Sequence, residues 1–320
     1  MGRRLESAAM LLGLLLPTLA LPLAGCGGSS SGGGGAPNVA ATAAPVASST
    51  AAPIVSSLPG SGPMVVASGR IEALTYNVAG LPQGISSSSP VTNIPQISPK
   101  LNAYDLALAQ EDFAYPIVLA SLAQHPYRTT PMAATSSLMN DGLNRFSRTP
   151  FNGFERTRWR TFHGVFNHSN DGLAAKGFTF ARHELVPGFT VDVYNLHADA
   201  GRHAGDNAAR ADQFAQLRDV MLTLSANQAV IVAGDTNLKA IDPLDEQVLV
   251  DFMTATGLRD VARTLGNLPE SIDRFLFRGS ADLELDPQQW RFADEFVDAS
   301  GAPLSDHEAV HVTFAWRAVR

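Results

Sequence analysis

Five apolar segments of the sequence end in polar residues of the types that serve in catalysis. The polar ends are residues 75–77, 110–112, 195–197, 234–237 and 305–307, which contain carboxylates, amides and imidazoles. Carboxylate and amide oxygens are ligands that hard divalent cations prefer. Histidine titrates near neutral pH and commonly acts as a general acid or base. The combination predicts metal-assisted acid–base chemistry at a site where these ends meet.

The elements that bring such ends together are predicted from the spacing of apolar residues. Strands are expected at residues 71–78, 106–111, 189–197, 229–233 and 310–316. The run 229–233 is apolar throughout, which is typical of a strand buried on both faces. A helix is expected over residues 206–225, where apolar residues recur at helical spacing. Strands and a helix in this order predict one α/β domain.

Two long stretches lack a clear period. Residues 140–170 and 258–298 are rich in glycine, aspartate, asparagine and aromatic residues. We expect both to be long surface loops, where substrate specificity is commonly carried.

In order and spacing, the motifs resemble those of the endonuclease/exonuclease/phosphatase superfamily, which has the deoxyribonuclease I-like fold. The residues that carry the resemblance are Asn77, Gln110, Glu111, His197, Asp235, Asn237, Asp273, Asp306 and His307. The resemblance extends from about residue 71 to the C-terminus. It implies an α/β (α+β) fold, a four-layer α/β-sandwich in which two packed mixed β-sheets are flanked by helices.

Two shorter segments resemble the bacterial neutral sphingomyelinase branch of the superfamily. Residues 176–178 read Lys-Gly-Phe, and residues 210–214 follow the pattern Arg-x-x-Gln-Leu with phenylalanine at the last position. Two positions depart from the branch. His197 is followed by Ala-Asp where Leu-Gln is expected, and Arg274 stands where an aromatic residue is usual. We expect these departures to affect the substrate rather than the chemistry.

The resemblance implies a metal and phosphate site. Glu111, assisted by Asn77, would hold Mg2+, with Mn2+ or Ca2+ as alternatives. Asp306 would complete the metal environment or orient its neighbours. Asn237 and Lys176 would contact phosphate oxygens, although an ordinary surface lysine beside a strand is the alternative for Lys176.

The resemblance also implies an acid–base pair made by His197 and His307 on opposite sides of a phosphorus atom. Asp273 would orient His307, and Asp235 would align or activate the attacking water. Which histidine is the base and which is the acid stays open. The implied reaction is hydrolysis of a phosphodiester.

The N-terminal region has the pattern of a bacterial export signal. Arginines precede an apolar stretch at residues 8–21, and residues 23–26, Leu-Ala-Gly-Cys, resemble a lipobox whose cysteine carries lipid. Gly13 and Pro17 interrupt the stretch, which disfavours an uncleaved membrane anchor. Cys26 is the only cysteine, so no intramolecular disulfide is expected. We expect a signal peptide at 1–25, a flexible Gly/Ser/Ala/Pro tether at 26–69 and a catalytic domain at 70–320.

Charge disfavours one class of function. The chain has 23 basic and 30 acidic residues, and only two arginines and one glutamate precede Arg70, so the remainder carries a net charge of −8. A strongly basic nucleic-acid-binding module is therefore not expected.

The expected function is that of a secreted, lipid-anchored, Mg2+-dependent phosphoric diester hydrolase of the bacterial cell envelope. A phospholipid headgroup is the preferred substrate, the membrane is reached through the N-terminal lipid, and no protein partner is implied. An extracytoplasmic endo- or exonuclease is the alternative, since a bound metal lets an acidic protein meet a phosphate. A non-catalytic binding lipoprotein on the same fold is the third candidate.

One motif match is expected to be accidental. Residues 307–311 read His-Glu-Ala-Val-His, the pattern of zinc metalloproteases. That chemistry needs both histidines one turn apart on a helix, whereas the residues around them alternate as in a strand.

Overall fold

The computed structural model describes residues 63–133, 139–165, 171–267 and 271–320. The predicted signal peptide, Cys26 and residues 27–62 of the tether lie outside these ranges and stay predictions. Within the described ranges, no helix has the length and hydropathy needed to span a membrane.

Strands form two sheets of six. The strands are β1 Val65–Asn77, β2 Leu106–Gln110, β3 Tyr127–Arg128, β4 Asn144–Ser147, β5 Phe151–Arg158, β6 Gly177–Val186, β7 Phe189–His197, β8 Ala229–Asp235, β9 Arg259–Asp260, β10 Asp273–Arg278, β11 Leu283–Phe292 and β12 Val310–Val319. The first sheet has the order β11-β12-β1-β2-β4-β3, and the second has the order β5-β6-β7-β8-β10-β9. The pairs β1–β2 and β7–β8 are parallel, and the other neighbouring strands are antiparallel.

Most helices of the described residues pack on the outer faces of the sheets, whereas the short helix that contains Val261 packs against the apolar residues between them. The helices are α1 Pro90–Lys100, α2 Pro116–Ala120, α3 Ala204–Leu224, α4 Pro243–Thr256 and α5 Val261–Thr264, with 3-10 turns at Leu101–Ala103 and Asp171–Leu173. Local sequence sets the ends of α4. At its N-terminus, the Asp242 carboxylate accepts a hydrogen bond from the Leu244 N–H at 2.9 Å, and Pro243 occupies the first helical position. At its C-terminus, Gly257 ends the helix with a left-handed backbone, at φ 69°.

Three apolar clusters separate these layers. The central cluster contains buried residues of both sheets, such as Ile71, Val193 and Phe314. A second cluster packs α1 and α2 on the first sheet, and a third packs α3 and α4 on the second sheet. Because β1 supplies Ile71 to the central cluster and Leu74 to the second, both faces of its C-terminal half are buried. The predicted fold, two packed mixed sheets flanked by helices, is confirmed.

The two parallel pairs place the predicted motifs at one end of the sandwich. Asn77 pairs with Gln110 at the end of β1 and β2, and His197 pairs with Asp235 at the end of β7 and β8. β10 runs antiparallel to β8, so its first residue, Asp273, also lies opposite Asp235. β12 runs antiparallel to β1, so the segment before β12, which contains His307, returns to the same end.

Two sequence predictions about these elements need correction. β1 begins at Val65, whereas the tether was expected to continue to residue 69. Residues 65–69 are mostly exposed and uncharged, but their backbone pairs with β12, and the backbone ladder does not require apolar side chains. The strand therefore extends into sequence that has the composition of a linker.

The stretches 140–170 and 258–298 are not long loops. The first contains β4 and β5, and the second contains β9, α5, β10 and β11. β5 and β9 lie at the edges of their sheet and β11 at an edge of the other. An edge strand exposes polar residues, and a register shift between Pro287 and Gln289 interrupts β11, so the apolar alternation is lost.

A buried charged group lies between the sheets. Arg145 donates to His183 Nε2 at 2.8 Å and to the Val193 carbonyl at 2.9 Å. Since a guanidinium only donates, His183 accepts at Nε2 and carries its proton at Nδ1, which faces the hydroxyls of Ser147 and Thr149 at 3.2 and 3.1 Å. Burial, together with the Arg145 charge, lowers the pKa of His183 well below 6.5.

This arrangement predicts a pH dependence of stability. A histidine whose folded-state pKa is lowered contributes stability above its unfolded pKa, near 6.5, and that stability is lost as the pH falls. Each pH unit below about 6.5 is expected to cost about 1.4 kcal/mol until the folded-state pKa is reached. His183→Gln keeps an acceptor for Arg145 and does not titrate, so urea unfolding at pH 7 and pH 5 should show a smaller loss in the variant. Equal losses in the two proteins would contradict the assignment.

Candidate active site

Asn77 joins the two sheets at the centre of the site. Its Nδ2 donates to Glu111 Oε1 and to Asp235 Oδ2, each at 3.0 Å, and lies 3.3 Å from His307 Nε2. Its Oδ1 accepts the Ala79 N–H at 3.1 Å, which fixes the orientation of the amide. Asn77 therefore holds two carboxylates in place from the end of β1, with the His307 ring beside them.

Glu111 follows β2 with a left-handed backbone, at φ 55°. Its carboxylate is 21% exposed, and burial raises its pKa even though Lys176 and the Asn77 amide oppose the shift. A buried carboxylate with a raised pKa binds a cation favourably, because the cation offsets the cost of desolvation. Glu111, His197 and Asp235 each offer one ligand atom, and these atoms lie within 4.8 Å of one another.

His197 and Asp235 lie side by side at the ends of β7 and β8. His197 Nε2 is 3.4 Å from Asp235 Oδ2 and 3.7 Å from Glu111 Oε1. Trp159 Nε1 donates to the His197 carbonyl at 2.7 Å, which fixes the strand end. Burial lowers the pKa of His197 well below 6.5, with Lys176 and His307 adding to the shift, so the ring is neutral.

His307 is held by an aspartate. Its Nδ1 lies 2.8 Å from Asp273 Oδ2, and its Nε2 lies 3.8 Å from Asp235 Oδ2. Burial alone would lower the pKa of His307, but the Asp273 and Asp235 carboxylates outweigh it and raise the pKa well above 6.5. Burial raises the pKa of Asp235 to about 6, against the opposing charge of His307. The two imidazoles on either side of Asp235 thus have pKa values shifted in opposite directions.

The backbone conformation at residue 234 and its close packing explain why this position, just before Asp235, is a glycine. Its φ is 140°, and a Cβ at this position would lie 2.1 Å from the Leu196 carbonyl oxygen of the neighbouring strand. Gly234→Ala is therefore expected to lower the free energy of unfolding by about 3 kcal/mol. Gly188→Ala is the matched control, because Gly188 also has a positive φ, 85°, but no heavy atom within 4 Å of the added Cβ. Urea unfolding should show a loss of only about 1 kcal/mol for the control; equal losses would contradict the steric explanation.

Lys176 lies in the site but has a partner. Its Nζ lies 2.5 Å from Asp171 Oδ1 and 3.5 Å from the Ala198 carbonyl, and the side chain is buried. It is therefore not an ordinary surface lysine. Burial would lower its pKa, but the Asp171 and Glu111 carboxylates raise it. Asn237 lies close by, where its Nδ2 donates to the same carbonyl at 3.0 Å.

Asp306 lies apart from the metal-ligand candidates. Its carboxylate is exposed, and it accepts from the Ser87 hydroxyl and lies 3.5 Å from Ser305 Oγ. Among the described residues, Asp306 is not one of the side chains that lie close enough together to hold a metal ion. The metal role that the resemblance implies for Asp306 therefore has no support from its position, because the turn before His307 directs the aspartate outward while Ser305 Oγ donates to the Asn77 carbonyl at 2.7 Å.

A cavity of about 290 Å3 opens beside Glu111. Asp171 and Lys176 lie in its wall, and Asp306 lies at the same opening. The remaining wall is mainly apolar, and its larger members are Leu81, Ile85, Phe113, Met139 and Leu173. The cavity thus presents a charged end next to the proposed ligands and an apolar flank.

Comparison with proteins of known function supports the family resemblance predicted from the motifs. No protein-family model matches the chain. The sphingomyelinase of Mycobacterium tuberculosis is 34% identical over 278 residues, an alignment that covers 80% of this chain and 54% of that protein. The chain therefore spans about half the length of the curated relatives it matches.

Solved structures give the fold. Sphingomyelinase C from Streptomyces griseocarneus matches with a TM-score of 0.56 at 18% identity, covering 77% of this chain and 99% of that chain. Beta toxin from Staphylococcus aureus, with bound magnesium ions, matches with a TM-score of 0.57 at 16% identity, covering 76% of this chain and 99% of that chain. The chain has the endonuclease/exonuclease/phosphatase fold. The predicted resemblance to this superfamily, and within it to the sphingomyelinase branch, is confirmed.

Within the endonuclease/exonuclease/phosphatase fold, the Arg-x-x-Gln segment fixes the chain that follows His197. Gln213 binds Asp199 twice, through its Nε2 to Asp199 Oδ1 at 2.7 Å and from the Asp199 N–H to its Oε1 at 3.0 Å. Arg210 donates to the Asp199 carbonyl at 3.0 Å and to Asp245 Oδ1 at 2.9 Å. Asp199, which departs from the branch pattern, is thus a buried partner of this segment.

Sequence reasoning missed Asp171 as a functional neighbour of this endonuclease/exonuclease/phosphatase site. The available signal was its position in the same segment, five residues before Lys176. Arg274, the other departure, is buried and donates to Asp260 Oδ2 at 3.0 Å and to the Leu238 carbonyl at 3.2 Å. Arg274 therefore has a structural role beside Asp273.

The zinc-protease pattern is accidental, as predicted. His311 lies in β12 and its Nε2 is 2.7 Å from Glu72 Oε2, whereas His307 binds Asp273. The two histidines thus serve different parts of the endonuclease/exonuclease/phosphatase fold.

Proposed function

We propose that the chain is a divalent-metal-dependent phosphodiesterase that releases phospholipid headgroups in the manner of sphingomyelinase C. The observation that carries the proposal is the contact network in which Asn77 binds Glu111 and Asp235 while both site histidines face Asp235. The 34% identity to a mycobacterial sphingomyelinase supports the same reaction class.

The residues present fit a hard divalent cation. The half-buried carboxylate of Glu111 and the buried carboxylate of Asp235 lie close together beside His197, and oxygen ligands of this kind suit Mg2+. We propose Glu111 as the principal ligand, with Asp235 beside it and His197 left free to transfer a proton. When bound, the metal supplies positive charge that stabilises the phosphoryl oxygens and the leaving oxygen.

The chain's own groups move the protons. Water attacks phosphorus, the bond from phosphorus to the water oxygen forms, and the bond to the lipid alkoxide breaks. One imidazole accepts the proton of the water at Nε2, and the other donates a proton to the leaving alkoxide. His197 and His307 are these two groups, and Asp273 keeps His307 oriented through Nδ1.

Other groups bind and orient the substrate. Asp235 Oδ2 lies 3.4 Å from His197 Nε2 and 3.8 Å from His307 Nε2, and its proposed role is to align the attacking water. Lys176 and Asn237 lie at the same end and are the proposed contacts for phosphate oxygens, with Asp171 positioning the ammonium group.

A lipid substrate is preferred over nucleic acid. The apolar flank of the cavity fits acyl or sphingoid carbons next to a phosphate, and a net charge of −8 from Arg70 onward does not favour a polyanion. The leader sequence supports an extracytoplasmic location in a bacterial cell envelope, with lipid on Cys26 as the anchor. An extracytoplasmic nuclease is the alternative function.

One experiment separates these functions. The protein without residues 1–25 is incubated with sphingomyelin liposomes or with plasmid DNA, each with Mg2+ or with EDTA. We expect phosphocholine release from the liposomes with Mg2+, none with EDTA, and intact DNA. Cleavage of DNA alone would overturn the lipid substrate, and hydrolysis unaffected by EDTA would overturn the metal dependence.

A further inference from the structure

A second cavity, of about 180 Å3, lies between the two sheets. Its floor is made by buried residues of both sheets, including Ile71, Leu106, Val191, Val193 and Ile231. Ile71 and Val191 each lie six residues before the catalytic end of their strand, so the cavity is roughly 20 Å from Asn77 and His197 along β1 and β7. It is therefore distinct from the cavity beside Glu111.

The walls of this second cavity are fixed. The Trp316 indole packs against Gly69, where an added Cβ would lie 2.6 Å from the indole Cζ2, so the ring has no room to move in that direction. His183, also in the wall, is held by Arg145 at 2.8 Å and by the Thr149 hydroxyl at 3.1 Å. A cavity whose walls are held in this way does not close readily by repacking.

Charge at the opening favours an anion. Arg70 and Arg148 both line the cavity and are exposed. In the described part of the chain, Arg70 has no ion pair, and Arg148 has a single long one, 3.6 Å from Asp105. The other Asp105 oxygen already accepts the Glu72 N–H at 2.9 Å. The two guanidinium charges at the opening are therefore opposed by a single carboxylate, that of Asp105, one oxygen of which already accepts a backbone hydrogen bond.

We infer that this cavity is a second ligand site, specific for a small carboxylate with an apolar body of about six carbons. The apolar body lies against Ile71, Leu185 and Trp316, the apolar lining residues that keep some exposed surface, and the carboxylate binds the guanidinium of Arg70 at the opening. The size fits, because a dry apolar cavity of about 150 Å3 accommodates benzene. Water is a poor occupant, since the floor offers few hydrogen-bond partners and an apolar group gains by displacing it.

Hexanoate is the probe for this site. Calorimetric titration of the full chain is expected to show saturable binding with a Kd of about 1 mM or tighter. Hexanol shares the apolar body and acetate shares the charge, so each should bind at least about tenfold more weakly. Absence of saturable hexanoate binding, or equal binding of hexanol, would overturn the inference.

Three variants locate the binding. Arg70→Gln changes an exposed residue and should raise the Kd about tenfold, whereas Arg218→Gln, which changes a partly exposed arginine of α3 far from the cavity, should leave the Kd unchanged. Val191→Phe fills the cavity and should abolish binding. An equal Kd for the two arginine variants would overturn the site.

Methyl NMR of the wild type gives a readout that does not depend on whether the filled variant folds. Hexanoate should shift the methyl signals of Ile71 and Leu185 and leave those of the exposed Leu244 and Val250 unchanged. Shifts at the exposed methyls alone would place binding elsewhere and contradict the inference.

Discussion

Glu111→Gln is expected to abolish metal-dependent hydrolysis while leaving the protein folded. The glutamine keeps an oxygen that accepts from Asn77 Nδ2 but removes the charge that binds the cation. The loss in kcat is expected to be at least about 1000-fold, because electrostatic stabilisation of the transition state is usually the largest single contribution to catalysis. Calorimetric titration with Mg2+ should show that the binding seen in the wild type is lost.

Stability distinguishes this loss from misfolding. Burial raises the pKa of Glu111, so its charged form destabilises the metal-free folded protein at pH 7. The variant without metal should therefore melt at the same temperature as the wild type or higher. Glu284→Gln, which alters an exposed glutamate paired with Arg317, is the matched control and should retain full activity. Wild-type kcat and Mg2+ binding in folded Glu111→Gln would contradict the proposed metal site.

His307→Ala is expected to lower kcat by about 100- to 10,000-fold, the usual range for loss of a general acid or base. Asp273→Asn should have a smaller effect of the same kind, because it leaves the ring in place and weakens the interaction at Nδ1. Added imidazole should restore part of the activity of His307→Ala but not of Glu111→Gln. The measurement is the steady-state rate of sphingomyelin hydrolysis at saturating substrate.

The control for His307 is a neighbour on the same segment. His311→Gln removes an imidazole of β12 that binds Glu72 of β1, away from the site, and should retain wild-type kcat. Equal losses in the two histidine variants would point to damage of the fold. Unchanged kcat in folded His307→Ala would contradict its role as acid or base.

The sequence predicted the elements that position the site because those elements are buried. β7 runs from Phe189 to His197, the predicted bounds, and its alternation is clear because its two faces meet different apolar clusters. β10 and β11 were missed, since a short strand that begins at Asp273 and an edge strand with an interruption at Pro287 carry little periodicity.

The sequence predicted which residues form the candidate site, but not which side chains contact one another within it. The motif residues Asn77, Glu111, His197, Asp235 and His307 meet at one end of the sandwich because two parallel strand pairs end there. The pairing of Lys176 with Asp171 and the outward direction of Asp306 depend on turns whose backbone geometry no periodicity records. Such contacts become visible only when the elements are packed together.

Isotope transfer from water tests the central claim most directly. Sphingomyelin is hydrolysed with Mg2+ in water enriched in oxygen-18, and the products are analysed by phosphorus NMR and mass spectrometry. Attack of water on phosphorus predicts a single oxygen-18 atom in phosphocholine and none in ceramide. Oxygen-18 in ceramide, or no phosphocholine at any Mg2+ concentration, would contradict the account.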